Sequence, residues 1–276
     1  MKILDRNLAA RIGTAVVVLP LLLTAFFVGP AWLGVAVIGA ACLAALQEVF
    51  GLIRARGLTP LAPVGYLVLA LAFVEGARPD LAPPLLPAAV VVTLALALKR
   101  AFALETSVTA AALTFLGAAY LGALGGCMAG LVTLPPVGQG PWRVVLLMAV
   151  VMTSDTAAFF SGKLWGRRKL APLISPGKTI AGAIGAMVGA VPPALLVRKW
   201  GLPDVPVLDM VLLGVGVAAL GMVGDLAESL LKRWAGVKDS GTLFPGHGGM
   251  LDRLDSLLFG APVLYYYFLL RAGLPG

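Results

Sequence analysis

Charge is scarce in this sequence. Only 12% of its 276 residues are Asp, Glu, Lys or Arg, about half of the roughly 25% that soluble domains average. A chain of this size that is 60% apolar cannot build a core large enough to hide those side chains. An ordinary water-soluble globule is therefore excluded. Cysteine is almost absent: Cys42 and Cys127 each lie inside an apolar run, which argues against a disulfide framework or a thiolate metal site. Both read as packing residues. There is one histidine, His247. The chain shows no internal repeat, low-complexity linker or long polar insertion, and its 20 prolines exclude a simple long coiled coil.

What is present is a series of apolar runs long enough to cross a hydrocarbon layer of about 30 Å. They fall near 12–28, 31–53, 58–74, 81–98, 107–131, 144–162, 179–197, 207–224 and 256–270. The expected fold is an all-α polytopic membrane bundle of about nine transmembrane helices. Pro63, Pro83, Pro84, Pro87 and Pro262 interrupt or bound the third, fourth and ninth runs. The first run follows Lys2, Arg6 and Arg11 and reads as a retained helix, because Gly29-Pro30-Ala31 is a poor cleavage site. With the N-terminus inside, the cytoplasmic segments hold 16 of the 21 Lys and Arg residues, as the positive-inside rule requires. Gly126-x3-Gly130 and Gly185-x3-Gly189 lie within runs and read as close helix contacts. The chain divides into an N-terminal transmembrane part (1–105) and a C-terminal transmembrane catalytic part (106–276), where the polar residues concentrate, within one integral unit.

Carboxylates in or beside a bilayer are costly unless paired or bound to a cation. Six stand out: Glu48, Asp155, Asp225, Glu228, Asp252 and Asp255. Glu48 is explained by a helix-end ion pair with Arg54 or by snorkelling. In Gly224-Asp225-Leu226-Ala227-Glu228-Ser229 the acids and Ser229 share one helix face, and Asp252 and Asp255 repeat the i, i+3 spacing. Oxygen donors of this kind suit Mg²⁺. The loop between the pairs carries Lys232, Arg233, Lys238 and Gly246-His247-Gly248-Gly249, a composition fitted to polyphosphate. The preceding inside loop adds Ser175-Pro176-Gly177-Lys178-Thr179, which reads as a phosphate-binding entry to a helix N-terminus but lacks the Walker A spacing.

From Ser229 to Asp255 the residues resemble the signature of the phosphatidate cytidylyltransferases. The carriers are Ser229, Leu231, Lys232, Arg233, Lys238, Asp239, Gly241, Phe244, Pro245, His247, Gly248, Gly249, Asp252, Arg253, Leu254 and Asp255. The resemblance extends upstream through Asp155-x3-Phe159-x2-Gly162-Lys163-x2-Gly166-Arg167 and the two segments quoted above. It departs at Gly177, where members usually carry a second lysine, and at Ala181-Gly182, where Glu-Gly is usual.

The resemblance implies that CTP and phosphatidic acid give CDP-diacylglycerol and pyrophosphate, with the lipid phosphate as the direct nucleophile. It implies Mg²⁺, optionally with a monovalent cation such as K⁺, and a homodimer in the inner membrane with its site facing the cytoplasm. No nucleic-acid partner is expected. On this reading Asp225 and Asp252 are the principal metal ligands, Asp255 and Glu228 support them, and Asp155 is a further metal or ordering residue. Lys232, Arg233, Lys238 and His247 would hold the CTP phosphates. Ser175, Lys178 and Thr179 would meet the lipid phosphate or the CTP tail, and Ser229, Gly248, Gly249 and Arg253 complete the substrate site. His247 is read as a hydrogen-bond donor rather than a general base, since a phosphate monoester with a second pKa near 6 is already largely a dianion at neutral pH. A CDP-alcohol phosphatidyltransferase would need an Asp-Gly-x2-Ala-Arg run that is absent. A polyprenyl-phosphate sugar-phosphate transferase would place its aspartates differently and lack the 238–247 segment. A transporter would set its charges near the midplane rather than at one face.

Overall fold

The computed structural model describes residues 20–78, 86–98, 104–136, 138–241, 243 and 248–273. Nine helical segments follow one another among them. They are α1 (20–27), α2 (Ala31–Ala55), α3 (Ala62–Ala77), α4 (Leu86–Leu98), α5 (Leu104–Thr133), α6 (Gly140–Trp165), α7 (Ile180–Gly201), α8 (Val207–Ala235) and α9 (Leu251–Arg271). Five of these, α2, α5, α6, α7 and α8, are long and apolar enough to cross a membrane, and α3 is a shorter apolar helix. The chain is thus a predominantly helical membrane protein, with five full-length candidate spans among the described residues. Helix α4 contributes 13 described residues. The first parts of the first and fourth expected spans lie outside the described residues.

One element departs from all-α. Lys169–Ala171 (β1) and Ser175–Thr179 (β2) form an antiparallel hairpin, pairing Lys169 with Thr179 and Ala171 with Ser175. Thr179 then ends the strand and starts α7: its Oγ1 accepts the Gly182 N–H at 3.1 Å, which is an N-cap.

Large apolar side chains face outward, among them Trp32, Leu94, Leu104, Leu116, Leu208 and Leu270, as lipid-facing surfaces do. Small residues face inward. A Cβ on Gly126 would sit 2.5 Å from the Phe73 carbonyl of α3, so α5 and α3 pack backbone to backbone. Gly185 and Gly189 leave room for the side chains of Ser161 and Ala157 of α6. Helices α2, α3 and α5 pack together, as do α6 with α7 and α8 with α9, and α7–α8 and α5–α9 contacts join these groups.

The turns that join α5 to α6 and α7 to α8 lie at one end of the bundle. Arg143 is buried there, donating to the carbonyls of Leu134 at 2.6 Å and Pro135 at 2.8 Å, with its guanidinium 4.7 Å from the Phe268 ring centroid. Tyr267 Oη also donates to Asp209 Oδ2 at 2.6 Å, tying α9 to the start of α8. The polar motifs gather at the other end. Helix α8, with 29 residues, is about 43 Å long at 1.5 Å per residue. It exceeds a hydrocarbon layer of about 30 Å by some two turns, so Lys232 and Arg233 can stand beyond the apolar zone.

Candidate active site

Helices α2, α6 and α8 end at this polar face, α7 and α9 begin there, and the β-hairpin lies beside them. The helix spacing read from the sequence holds. Asp225 and Glu228 of α8 meet Asp255 of α9 so that one carboxylate oxygen from each lies within 4.8 Å of the others. A carbonyl approach makes this possible: a side chain on Gly224 would strike the Asp255 backbone. Glu228 is 4% exposed.

Two lysines pair with this group. Lys178 Nζ, at the end of the hairpin, lies 2.7 Å from Asp225 Oδ2. Lys232 Nζ lies 2.9 Å from Glu228 Oε2 and 2.5 Å from Asp252 Oδ1, with 13% of its side chain exposed. Ser229 Oγ donates to Asp225 Oδ1 at 3.4 Å. The second oxygen of Asp252 accepts three bonds: the Ser240 N–H at 3.1 Å, Ser240 Oγ at 2.8 Å and the Gly249 N–H at 2.8 Å. A nearby ammonium and three donors favour the ionised carboxylate.

The structure therefore separates two acids that the sequence treats alike. Asp225 groups with Glu228 and Asp255, whereas both Asp252 oxygens are occupied by Lys232, Ser240 and Gly249. Lys232, expected on CTP phosphate, is held between carboxylates. Arg233 is exposed and donates to the Ile174 carbonyl at 3.4 Å, bracing the hairpin turn. Lys238 and Arg253 are exposed. Ser175 is a strand residue, and Thr179 is buried as the α7 cap. Gly248 has φ +79°, and a Cβ there would lie 2.8 Å from Asp252 Oδ2. This glycine serves the protein's own carboxylate as well as any ligand. His247 lies outside the described residues.

A cavity of about 520 Å³ opens beside Asp225, lined also by Asp155, Lys163, Lys169, Lys178 and Thr179. Lys163 belongs to the upstream segment that carries the resemblance, whereas Lys169 is not among the site residues expected from the sequence. A second cavity, about 280 Å³, lies between α2, α5, α8 and α9. Its lining is apolar (Leu113, Leu116, Leu230 and Phe259 among it) except near Glu228 and Asp255. The acidic group thus lies between a chamber that carries three lysines, reached at Asp225, and a more apolar one, reached at Glu228 and Asp255.

The donor set fits a hard divalent cation. Glu228 Oε1 is buried with no hydrogen-bond partner among the described residues, a costly condition unless something binds it. Three grouped carboxylates exceed the two lysines paired with them, and all the donors are oxygens, as Mg²⁺ prefers.

The sequence matches the cytidylyltransferase family over residues 9–271. It is 40% identical over 134 residues to a phosphatidate cytidylyltransferase of Haemophilus influenzae, covering 47% of this chain and 46% of that one. It is 47% identical over 131 residues to one of Brucella suis, covering 45% and 46%. With one of Bacillus subtilis it shares 44% identity over 117 residues, 42% of this chain and 44% of the other. The chain spans about half the length of the curated relatives it matches. A match that runs from the start of the first apolar run to the end of α9, over a site of grouped carboxylates and lysines, makes this chain a member of the cytidylyltransferase family.

Proposed function

We propose that the protein transfers CMP from CTP to phosphatidic acid, giving CDP-diacylglycerol and pyrophosphate. The observation that carries this reading is the carboxylate group set between a lysine-lined chamber and an apolar one, which suits a reaction between a nucleotide and a lipid. The lipid phosphate forms the new bond to the α-phosphorus of CTP as the bond to pyrophosphate breaks. No protein nucleophile is required, so catalysis rests on placement and charge neutralisation. Asp225, Glu228 and Asp255 would hold magnesium, which when bound supplies neutralisation of phosphoryl oxygens. Lys163, Lys169 and Lys178 supply positive charge along the nucleotide chamber. Lys232 offsets Glu228 and Asp252, and the apolar chamber leads an acyl chain towards the same carboxylates. His247, which precedes Gly248-Gly249 in the sequence, would donate a hydrogen bond to a CTP phosphate.

Membranes containing the protein should move radiolabel from CTP into a chloroform-soluble product only when phosphatidic acid is added. Incorporation that ignores phosphatidic acid, or none at all, would sink the reading. The same reading places the protein as a homodimer in the inner membrane with this face in the cytoplasm, where CTP is. A reporter fused at residue 238 should then behave as cytoplasmic. An outward report there would refute the orientation drawn from the 16-to-5 division of basic residues.

A further inference from the structure

Helix α9 carries Asp252 and Asp255 but begins at Leu251 with no cap from its Met250 N-cap side chain. Its first N–H groups would be unsatisfied at the positive end of the helix dipole. They are met from another part of the chain. Glu48, near the end of α2, accepts the Met250 N–H on Oε1 and the Leu251 N–H on Oε2, each at 2.8 Å. Ser240 Oγ stands 2.8 Å from both Oε2 and Asp252 Oδ2, so its single proton is shared between the two carboxylates. The carboxylate expected beside Arg54 is thus the cap of a helix about 200 positions away.

The surroundings are shaped to it. A Cβ on Gly241 would lie 2.6 Å from Glu48 Oε1. One on Gly249 would collide with both Glu48 Oε2 and Ser240 Oγ. The two glycines let the backbone close around a single carboxylate from the N-terminal half. With both oxygens occupied, Glu48 has little capacity left for a metal ion. A chain of contacts runs from Glu48 through Ser240 to Asp252, and from Asp252 through Lys232 to Glu228.

We propose that Glu48 is a positioning residue of the active site, whose negative charge fixes the start of α9 and thereby the placement of Asp252 and Asp255. The activity arm of its test rests on the cytidylyl-transfer reading; the exchange arm does not. In the purified full chain, Glu48→Ala should speed hydrogen exchange of the Met250 and Leu251 amides by about tenfold or more, as the loss of charge-assisted bonds implies. It should lower kcat by roughly 10–100-fold and raise the Mg²⁺ concentration needed for half-maximal rate, as loss of a ligand-orienting partner does. KM for CTP should change little. Glu48→Gln keeps one carbonyl acceptor and should fall between Ala and the parent, which preserves the test if the alanine variant folds poorly.

Unchanged exchange at residues 250 and 251 in the folded variants would overturn the proposal, whatever the activity. So would a variant that lowers only the unfolding temperature while kcat per folded molecule and the Mg²⁺ dependence stay at parental values. If the parent protein itself fails to make a CDP-lipid, the cytidylyl-transfer reading falls, and the exchange data still decide the role of Glu48.

Discussion

Asp225→Asn is expected to lower the turnover number at least about a hundredfold, a loss typical of removing one preorganised charge from a transition-state site. The substitution keeps shape and removes one negative charge from the group formed with Glu228 and Asp255. It also leaves Lys178 Nζ, 2.7 Å from Oδ2, facing a neutral amide that offers it no countercharge. Two consequences separate this from general damage. The Mg²⁺ concentration required for half-maximal rate should rise, and the unfolding temperature should change little, because Asp225 is 35% exposed in its side chain and its ion pair is screened. Near-parental turnover at limiting Mg²⁺ would remove Asp225 from the metal site.

Lys232→Met should act chiefly on stability. The ammonium lies within 2.9 Å of Glu228 and 2.5 Å of Asp252, whose side chains are only 4% and 10% exposed. Methionine fills a similar volume and withdraws the only cation that an ion pair supplies to both carboxylates among the described residues. Breaking a buried pair from one side typically costs about 3–5 kcal/mol, because the remaining charges stay buried without compensation. Adding Glu228→Gln should return part of that loss, since the amide no longer demands a countercharge. Thermal unfolding in detergent of the single and double variants reads this directly. Equal stability of Lys232→Met and the parent would mean that the lysine faces ligand, as the sequence suggested, rather than its neighbours.

The contrast between Lys232 and Asp225 shows where sequence reasoning reached its limit. The i, i+3 spacing of Asp225 and Glu228 is local, so the helix period alone put them on one face. Asp255 repeats the same spacing with Asp252 across a single loop, but that pattern does not say which of the two meets Asp225, and the sequence reading favours Asp252. Lys232 was legible as a neighbour of Glu228 four residues away, but its shorter contact is to Asp252, twenty residues on. Composition then favoured phosphate as its partner. Glu48 reads locally, beside Arg54, because nothing in its flanks announces partners near residues 240 and 250. The β-hairpin is hidden in the sequence for a different reason: Ser175 to Thr179 reads as the entry to a helix, and Thr179 does cap α7, but the strand pairing before it depends on Lys169–Ala171. Helix order followed hydropathy closely, while span length did not, since an apolar run can contain a turn or a proline without losing its hydropathy.

Helix α9 is fastened at both ends. Glu48 holds its first amides, while at the far end Arg143 stacks on Phe268, Tyr267 bonds to Asp209, and Arg271 donates to the Asp204 carbonyl at 3.2 Å. A rod anchored this way cannot work as a piston, because an axial slide of even one turn, about 5.4 Å, would break every one of these attachments together. The acidic group shared by α8 and α9 is therefore a fixed anvil. Movement that opens the chamber beside Asp225 is then expected in the opposing wall, the β-hairpin and the α6–α7 pair, which is held to α8 by the Lys178–Asp225 ion pair and by the Arg233 bond to the Ile174 carbonyl.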